Sequence, residues 1–189
     1  MSTDDMIMIN GARVSFPHLF RRPTINGEEG KCGAALMLDP KKHAKDIHAI
    51  EKAISALCKE KFKGKKLPSD KLCLRDGNDK GRDEYEGSMV LSANSKARPM
   101  VIARDGRTTI QDEEDSDIYA GCFVNAKVRL WAQDNKFGKR VNAELVAIQF
   151  LKDGEPLDGA YVSTEDAMDG FEGVDGDNDD DEGDDFLAA

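Results

Sequence analysis

The sequence predicts a mainly β, α+β domain in which short strands lie on both sides of one long helix, a set that packs most simply as a small barrel. Three observations carry this. Short stretches with strand-like apolar content recur before and after residues 40–64. Within 40–64, apolar residues return at helical spacing. From Glu165 onward the chain is Asp, Glu and Gly with few apolar residues, too few to offset the entropy of ordering it, so a disordered tail is expected. The expected organisation is a folded domain over 1–164 and an acidic tail over 165–189.

Residues 6–15 read as a first strand, with Ile7, Ile9 and Val14 as its apolar content. Pro17 and Pro23 exclude a regular central strand across 16–23. Phe16 and Phe20 stand there beside Arg21 and Arg22, a pattern suited to a nucleic-acid contact at a strand exit. The competing reading places Phe16 and Leu19 as caps on the core, and it is the better one for Leu19. Residues 31–38 form an apolar strand whose Gly33, Ala34 and Ala35 suit close sheet packing. Asp39-Pro40 reads as an N-cap followed by Pro at the first helical position. Ile47, Ile50, Ile54, Leu57 and Phe62 then mark one face of a helix of about six turns ending near Gly64. Its lysines lie elsewhere and read as a solvated face.

Residues 63–87 are polar, glycine-rich and basic, holding Lys63, Lys65, Lys66, Lys71, Arg75, Lys80 and Arg82 with Tyr85. A connection that long is either functional or mobile. Its Asp76–Gly81 run resembles a calcium loop only superficially, because the twelfth position is Gly87 where a bidentate Glu is required. Short strands are expected at 89–94, 100–103 and 108–110, with a basic turn at 95–99 that includes Arg98 and an acidic loop at 111–117.

The most informative stretch is 122–140. Cys122, Val124, Ala126, Val128, Leu130 and Ala132 share one parity and fit a core. The opposite parity carries Phe123, Asn125, Lys127, Arg129, Trp131 and Gln133, including the sole tryptophan. A turn at 134–140 follows, in which Phe137 stands among Lys136, Lys139 and Arg140, and 141–150 resumes as a strand. Flat rings interleaved with cations are what a single-stranded nucleic-acid platform needs, cations for phosphates and rings for base stacking. The competing reading is an ordinary hairpin whose Phe123 and Trp131 pack on a helix or partner.

The net charge of −10 is segregated. Twelve of the 37 acidic residues and none of the 27 Lys and Arg lie in 165–189, leaving 25 acids against 27 bases in the body. Such segregation marks an interaction tail. The four cysteines form no CxxC and read as free thiols of a reducing compartment. No metal-ligand spacing joins them to the histidines, and no cofactor is expected. The N-terminus lacks the pattern of a signal peptide, and no apolar run approaches the ~18 residues of a membrane span, so a cytoplasmic protein is expected. An enzyme is disfavoured by the absence of a P-loop, a G-x-S-x-G elbow or paired strand carboxylates for a Mg²⁺ nuclease. An acidic-tailed chaperone or scaffold for basic proteins fits the tail but not the aromatic-basic hairpin.

Several stretches together resemble the single-stranded DNA-binding proteins of tailed bacteriophages. They are residues 12–20 (Ala-Arg-Val-Ser-Phe-Pro-His-Leu-Phe), 95–99 (Ser-Lys-Ala-Arg-Pro), 118–125 (Ile-Tyr-Ala-Gly-Cys-Phe-Val-Asn) and 138–150, and the likeness spans roughly residues 7–159. The resemblance implies an OB-fold, a five-stranded partly open barrel, elaborated here by the long helix and basic loops. It implies a role in replication and recombination without catalysis, in the host cytoplasm, with little sequence specificity. Carried onto this chain, the nucleic-acid-binding residues are Arg13, Phe16, Arg98, Phe123, Lys127, Arg129, Trp131, Lys136, Phe137, Lys139 and Arg140. The acidic C-terminus, with Asp184, Asp185, Phe186 and Leu187, is similar to tails that recruit replication proteins such as a polymerase or helicase and compete with DNA. It departs from them in that Phe186 is followed by Leu187-Ala188-Ala189. Self-association is compatible with the same resemblance.

Overall fold

The structure is a computed structural model that describes residues 6–157; what was expected of residues 1–5 and of everything from Asp158 on, the acidic tail included, lies outside the described residues. In chain order the elements are β1 (Met6–His18), β2 (Thr24–Ile25), β3 (Glu28–Glu29), β4 (Cys32–Leu38), α1 (Ala44–Lys61), β5 (Leu74–Asp76), β6 (Met89–Ser95), β7 (Met100–Ile102), β8 (Thr109–Ile110), β9 (Phe123–Asn135) and β10 (Gly138–Lys152). Five of them form the barrel, in the order β6-β4-β1-β9-β10. Its seam is a short parallel pairing of β10 with β6, Ala143 opposite Ala93 and Glu144 opposite Asn94. That is the five-stranded OB barrel, closed here by the thinnest of its ladders.

The inward parity builds one core. Ile9, Val14, Leu36, Leu91, Val124, Val128, Val141 and Leu145 are fully buried, and Ile50, Ile54, Cys58 and Phe62 of α1 and its C-cap join them. Gly33 has to be glycine at the β4–β6 approach, since a Cβ there would lie 2.3 Å from the Ala93 carbonyl oxygen. Leu19 is buried and Phe16 is exposed, so the two apolar residues at the end of the first strand and just beyond it part company as surface ring and core cap.

Four expectations are corrected. The first strand continues to His18, because the register shift between Ser15 and His18 places Phe16-Pro17 in a bulge where proline's missing N–H breaks no ladder bond. The helix begins at Ala44 rather than Pro40, and its 18 residues make five turns rather than six. Asp39 does cap, but it caps the turn that leads into α1: its Oδ1 accepts the amides of Lys41 and Lys42 at 2.8 and 3.2 Å. His43 fixes that turn, accepting the Asp39 amide at Nδ1 and donating from Nε2 to the Asn10 carbonyl oxygen of β1. The hairpin turn is shorter than 134–140, with Lys136-Phe137 alone between β9 and β10.

The fourth correction concerns 63–87, which is neither a plain loop nor detached. β5 pairs with β6, Leu72 bridges to Val141, and burial pushes the Cys73 thiol up to about 12. The segment then folds back over the outer face of β4 and β6, where Tyr85 packs with Met37 and Val90 as a small second core. Tyr85 donates its hydroxyl hydrogen to Ser15 Oγ at 3.0 Å, both groups being buried. Tyr85→Phe removes this bond and leaves the Ser15 hydroxyl without that partner, so an expected loss of about 1 kcal/mol should appear in urea unfolding, with the slope unchanged.

Candidate nucleic-acid interface

Outward residues of β9 and β10 form cross-strand pairs: Trp131 with Asn142, Arg129 with Glu144, Lys127 with Ala147. Alternation along β9 holds as the sequence predicts. Val124, Ala126 and Val128 are buried, while Lys127 and Trp131 are exposed. Met8 of β1 lies opposite Lys127 and is also exposed, giving that cation an apolar neighbour. Around Trp131 a polar ladder stiffens the surface: Asn142 Nδ2 donates to Gln133 Oε1 at 3.0 Å, and Gln133 Nε2 donates to Asn135 Oδ1 at 3.2 Å. Asn135 Oδ1 also accepts the Phe137 amide, which fixes the two-residue tip. Phe137 is 73% exposed, with the Lys136 ammonium 5.0 Å from its ring centroid. Lys139 reaches back over the Phe62 ring at 5.6 Å, joining the tip to the end of α1. Thus Lys127, Trp131, Lys136, Phe137, Lys139 and Arg140 share one hairpin, with Arg140 opposite Gln133 on the face of Trp131 and Lys139 opposite Asp134 on the other.

Other expected residues are placed differently. Arg129 is ion-paired to Glu144, half-buried, so its charge is largely neutralised. Arg13 donates from Nε to the Gly121 carbonyl oxygen at 3.1 Å and from Nη2 to that of Glu155, clamping the chain on both sides of the hairpin. Arg98 donates to the Gln111 carbonyl oxygen at 2.7 Å and covers the Phe20 ring. Phe123 is half-buried, with Lys152 at 4.9 Å over its ring. Phe16 stands apart from the hairpin, 44% exposed at the far end of β1, in a left-handed conformation with φ of 49°. The Arg82 guanidinium lies 4.4 Å from its ring centroid. Sequence reading assigned no role to Arg82, although the density of cations around Tyr85 was the signal for it.

Among the described residues no cluster of His, Cys, Asp or Glu is arranged to hold a metal ion, and no helix is long and apolar enough to cross a membrane. An OB barrel whose last hairpin, β9–β10, is aromatic and basic, and whose connecting loop is one of those such barrels present to oligonucleotides, defines an OB-type nucleic-acid-binding protein. The family model described as the ssDNA-binding protein of Enterobacter phage Enc34 matches residues 5–187, and the chain belongs to that family. A family of ssDNA-binding proteins is not one of enzymes. A curated relative, protein p50 of Acyrthosiphon pisum secondary endosymbiont phage 1, is 34% identical over 172 residues, covering 86% of this chain and 92% of that protein. The single-stranded DNA-binding protein of bacteriophage Enc34 in complex with ssDNA is similar in structure, with a TM-score of 0.74 and 30% identity over 82% of this chain and 91% of that one. The same protein described without DNA gives a TM-score of 0.73 and 32% identity over 88% and 92%. The gp2.5 protein of bacteriophage T7 shares the fold at a TM-score of 0.52 and 12% identity over 84% of this chain and 97% of that one.

Proposed function

We propose that this protein binds single-stranded DNA with little sequence preference, stacking bases on Trp131 and Phe137 and holding phosphates with Lys127, Lys136, Lys139 and Arg140. The observation that carries this reading is the exposure of both rings on one hairpin beside those cations, in a family whose Enc34 member is described in complex with ssDNA. Every base offers a π-face, so ring stacking does not discriminate among sequences. The direct test is a fluorescence titration of Trp131, the sole tryptophan, with oligo(dT) at several salt concentrations. Binding with quenching and a steep salt dependence is expected; no change at any salt overturns the reading.

Neutralising Lys127, Lys139 or Arg140 lowers the salt slope by roughly 0.7 each, the single-strand value, and weakens binding to all sequences alike. Arg129→Gln has a smaller effect, because Glu144 already neutralises that charge. A slope that stays fixed, or binding that turns sequence-selective, counts against the phosphate assignment. The replication and recombination setting, in the cytoplasm of a bacterial host, is part of the same proposal. So is the tail: 165–189 competes with DNA for the basic surface and, through Asp184, Asp185, Phe186 and Leu187, recruits a replication protein such as a polymerase or helicase.

A further inference from the structure

Charge is segregated along the barrel as well as into the acidic tail. Over 44–58, α1 carries Lys45, Asp46, Glu51 and Lys52 in balance, but residues 59–66 hold five lysines and one glutamate. All five lysines are exposed, and among the described residues only Lys61 of the five has an ion-pair partner, Glu60 at 3.5 Å. The backbone holds them in place. The amides of Phe62 and Gly64 both donate to the Cys58 carbonyl oxygen, and that of Lys65 donates to the Phe62 carbonyl oxygen. Lys63 takes a left-handed φ of 52°, uncommon for a residue with a Cβ. Lys139 lies over Phe62 and Leu72 bridges to Val141, so this end of α1 adjoins the tip half of the β9–β10 hairpin. Before the start of β9 the charge is opposite. Residues 111–117 hold five carboxylates and no cation. Arg98 holds the Gln111 carbonyl oxygen, Arg21 pairs with Glu113 at 3.6 Å and Arg104 with Asp117 at 3.1 Å. Asp112, Glu114 and Asp115 remain exposed, with no ion-pair partner among the described residues. Arg104 also lies over Phe150, which pairs with Val124 near the start of β9. β9 has 13 residues, so the two charged ends stand roughly 40 Å apart along it.

We propose that the lysine end of α1 receives the 112–115 loop of a second copy of this chain bound to the same DNA strand, a contact repeated from copy to copy. This rests on the proposed binding of single-stranded DNA and adds how neighbours on the strand meet. A protein partner fits the lysines better than DNA does. A base needs an open ring to stack on, and the one ring in 59–66, Phe62, is buried beneath Lys139. Charge then selects the partner and its orientation. Two lysine ends repel each other, as do two acidic loops, so neither end pairs with its own kind; unlike ends attract. Such a heterologous contact propagates in one direction, as a row of copies along a strand must. Exposed ion pairs are individually weak, so the contact forms chiefly where DNA already holds two copies side by side at high effective concentration.

The test uses the full chain and labelled oligo(dT) of two lengths, about 12 nucleotides for one copy and about 60 for several, since one OB fold takes ~4–16. Wild type should bind the long strand about tenfold more tightly per site, as a few exposed ion pairs together supply, and the advantage should fade as salt rises. Lys63→Glu/Lys65→Glu/Lys66→Glu should abolish it, and so should Asp112→Lys/Glu114→Lys/Asp115→Lys. One chain carrying all six substitutions should regain it, because the two ends are again opposite. The neutral Lys63→Gln/Lys65→Gln/Lys66→Gln reads the same loss if a reversal disturbs the fold. The acidic tail is unaltered throughout, so regain in the combined chain assigns the contact to the 112–115 loop. An advantage that survives both reversals, or that the combined chain fails to regain, overturns the contact. A lysine reversal that weakens short and long strands alike also overturns it, because DNA itself would then occupy the lysines. A wild-type chain that binds the short strand but shows no advantage on the long one overturns the contact and leaves the proposed function standing. One that binds neither overturns both.

Discussion

Replacing Trp131 with Ala weakens oligo(dT) binding by about 1–3 kcal/mol, and Phe137→Ala does so by a similar amount, the range that base–aromatic stacking supplies. The expectation follows from where the rings sit. Trp131 is 39% exposed and paired across the hairpin with Asn142, and Phe137 is 73% exposed at the tip. Neither belongs to the barrel core, whose β9 members are Val124, Ala126 and Val128. Truncation therefore leaves the melting temperature nearly unchanged while removing a stacking surface. Trp131→Phe should retain most of the affinity, since it keeps a flat ring on the same backbone. The check is a titration by anisotropy of labelled oligo(dT), run beside thermal melts of each variant. A large loss of folding stability with unaltered affinity would show that these rings serve packing.

How far the interface could be read in advance depends on the range of the interactions that set it. Alternation along β9 is a local property of the chain, so the outward positions of Lys127, Arg129 and Trp131 were legible. What each outward cation touches is decided by partners far away in sequence. Arg129 meets Glu144 because the β9–β10 register sets them opposite each other, and Arg13 finds the Glu155 carbonyl across the length of the domain. No local pattern distinguishes such an arginine from one left to bind phosphate. The same holds for 63–87: Gly, Asp and Lys in quantity read as a loop, yet Leu72, Cys73, Leu74 and Tyr85 were enough to dock it against the barrel. The helix start failed for a different reason. Asp39-Pro40 is a sound capping signal, but a single turn intervenes before α1, locked to β1 through the His43–Asn10 bond.

Deleting Glu165–Ala189 should tighten DNA binding by about tenfold at low salt. All 27 Lys and Arg lie before this segment, which carries twelve of the acidic residues. If residues 165–189 follow coil statistics, their reach is roughly 25–30 Å, comparable to the span of a small domain. A tethered polyanion of that reach acts at an effective concentration of millimolar order. If its affinity for the cations of the hairpin were about 0.1 mM, DNA would compete against roughly ten equivalents of tail, hence the tenfold factor. Screening shortens the reach of these charges to about 8 Å at physiological ionic strength, against 30 Å at 0.01 M, so the gain from deletion should shrink as salt rises. Duplex DNA should gain at least as much as single strands, since its charge density is higher and the body without the tail is close to neutral or slightly basic. Replacing Phe186 and Leu187 alone leaves every carboxylate in place, so DNA affinity should hold while capture of a polymerase or helicase by the tail is lost. Equal DNA affinity of the full and truncated chains at ~50 mM salt, where screening still leaves such charges in reach, would sink the competition; recruitment would then have to be tested by the Phe186 and Leu187 replacements on their own.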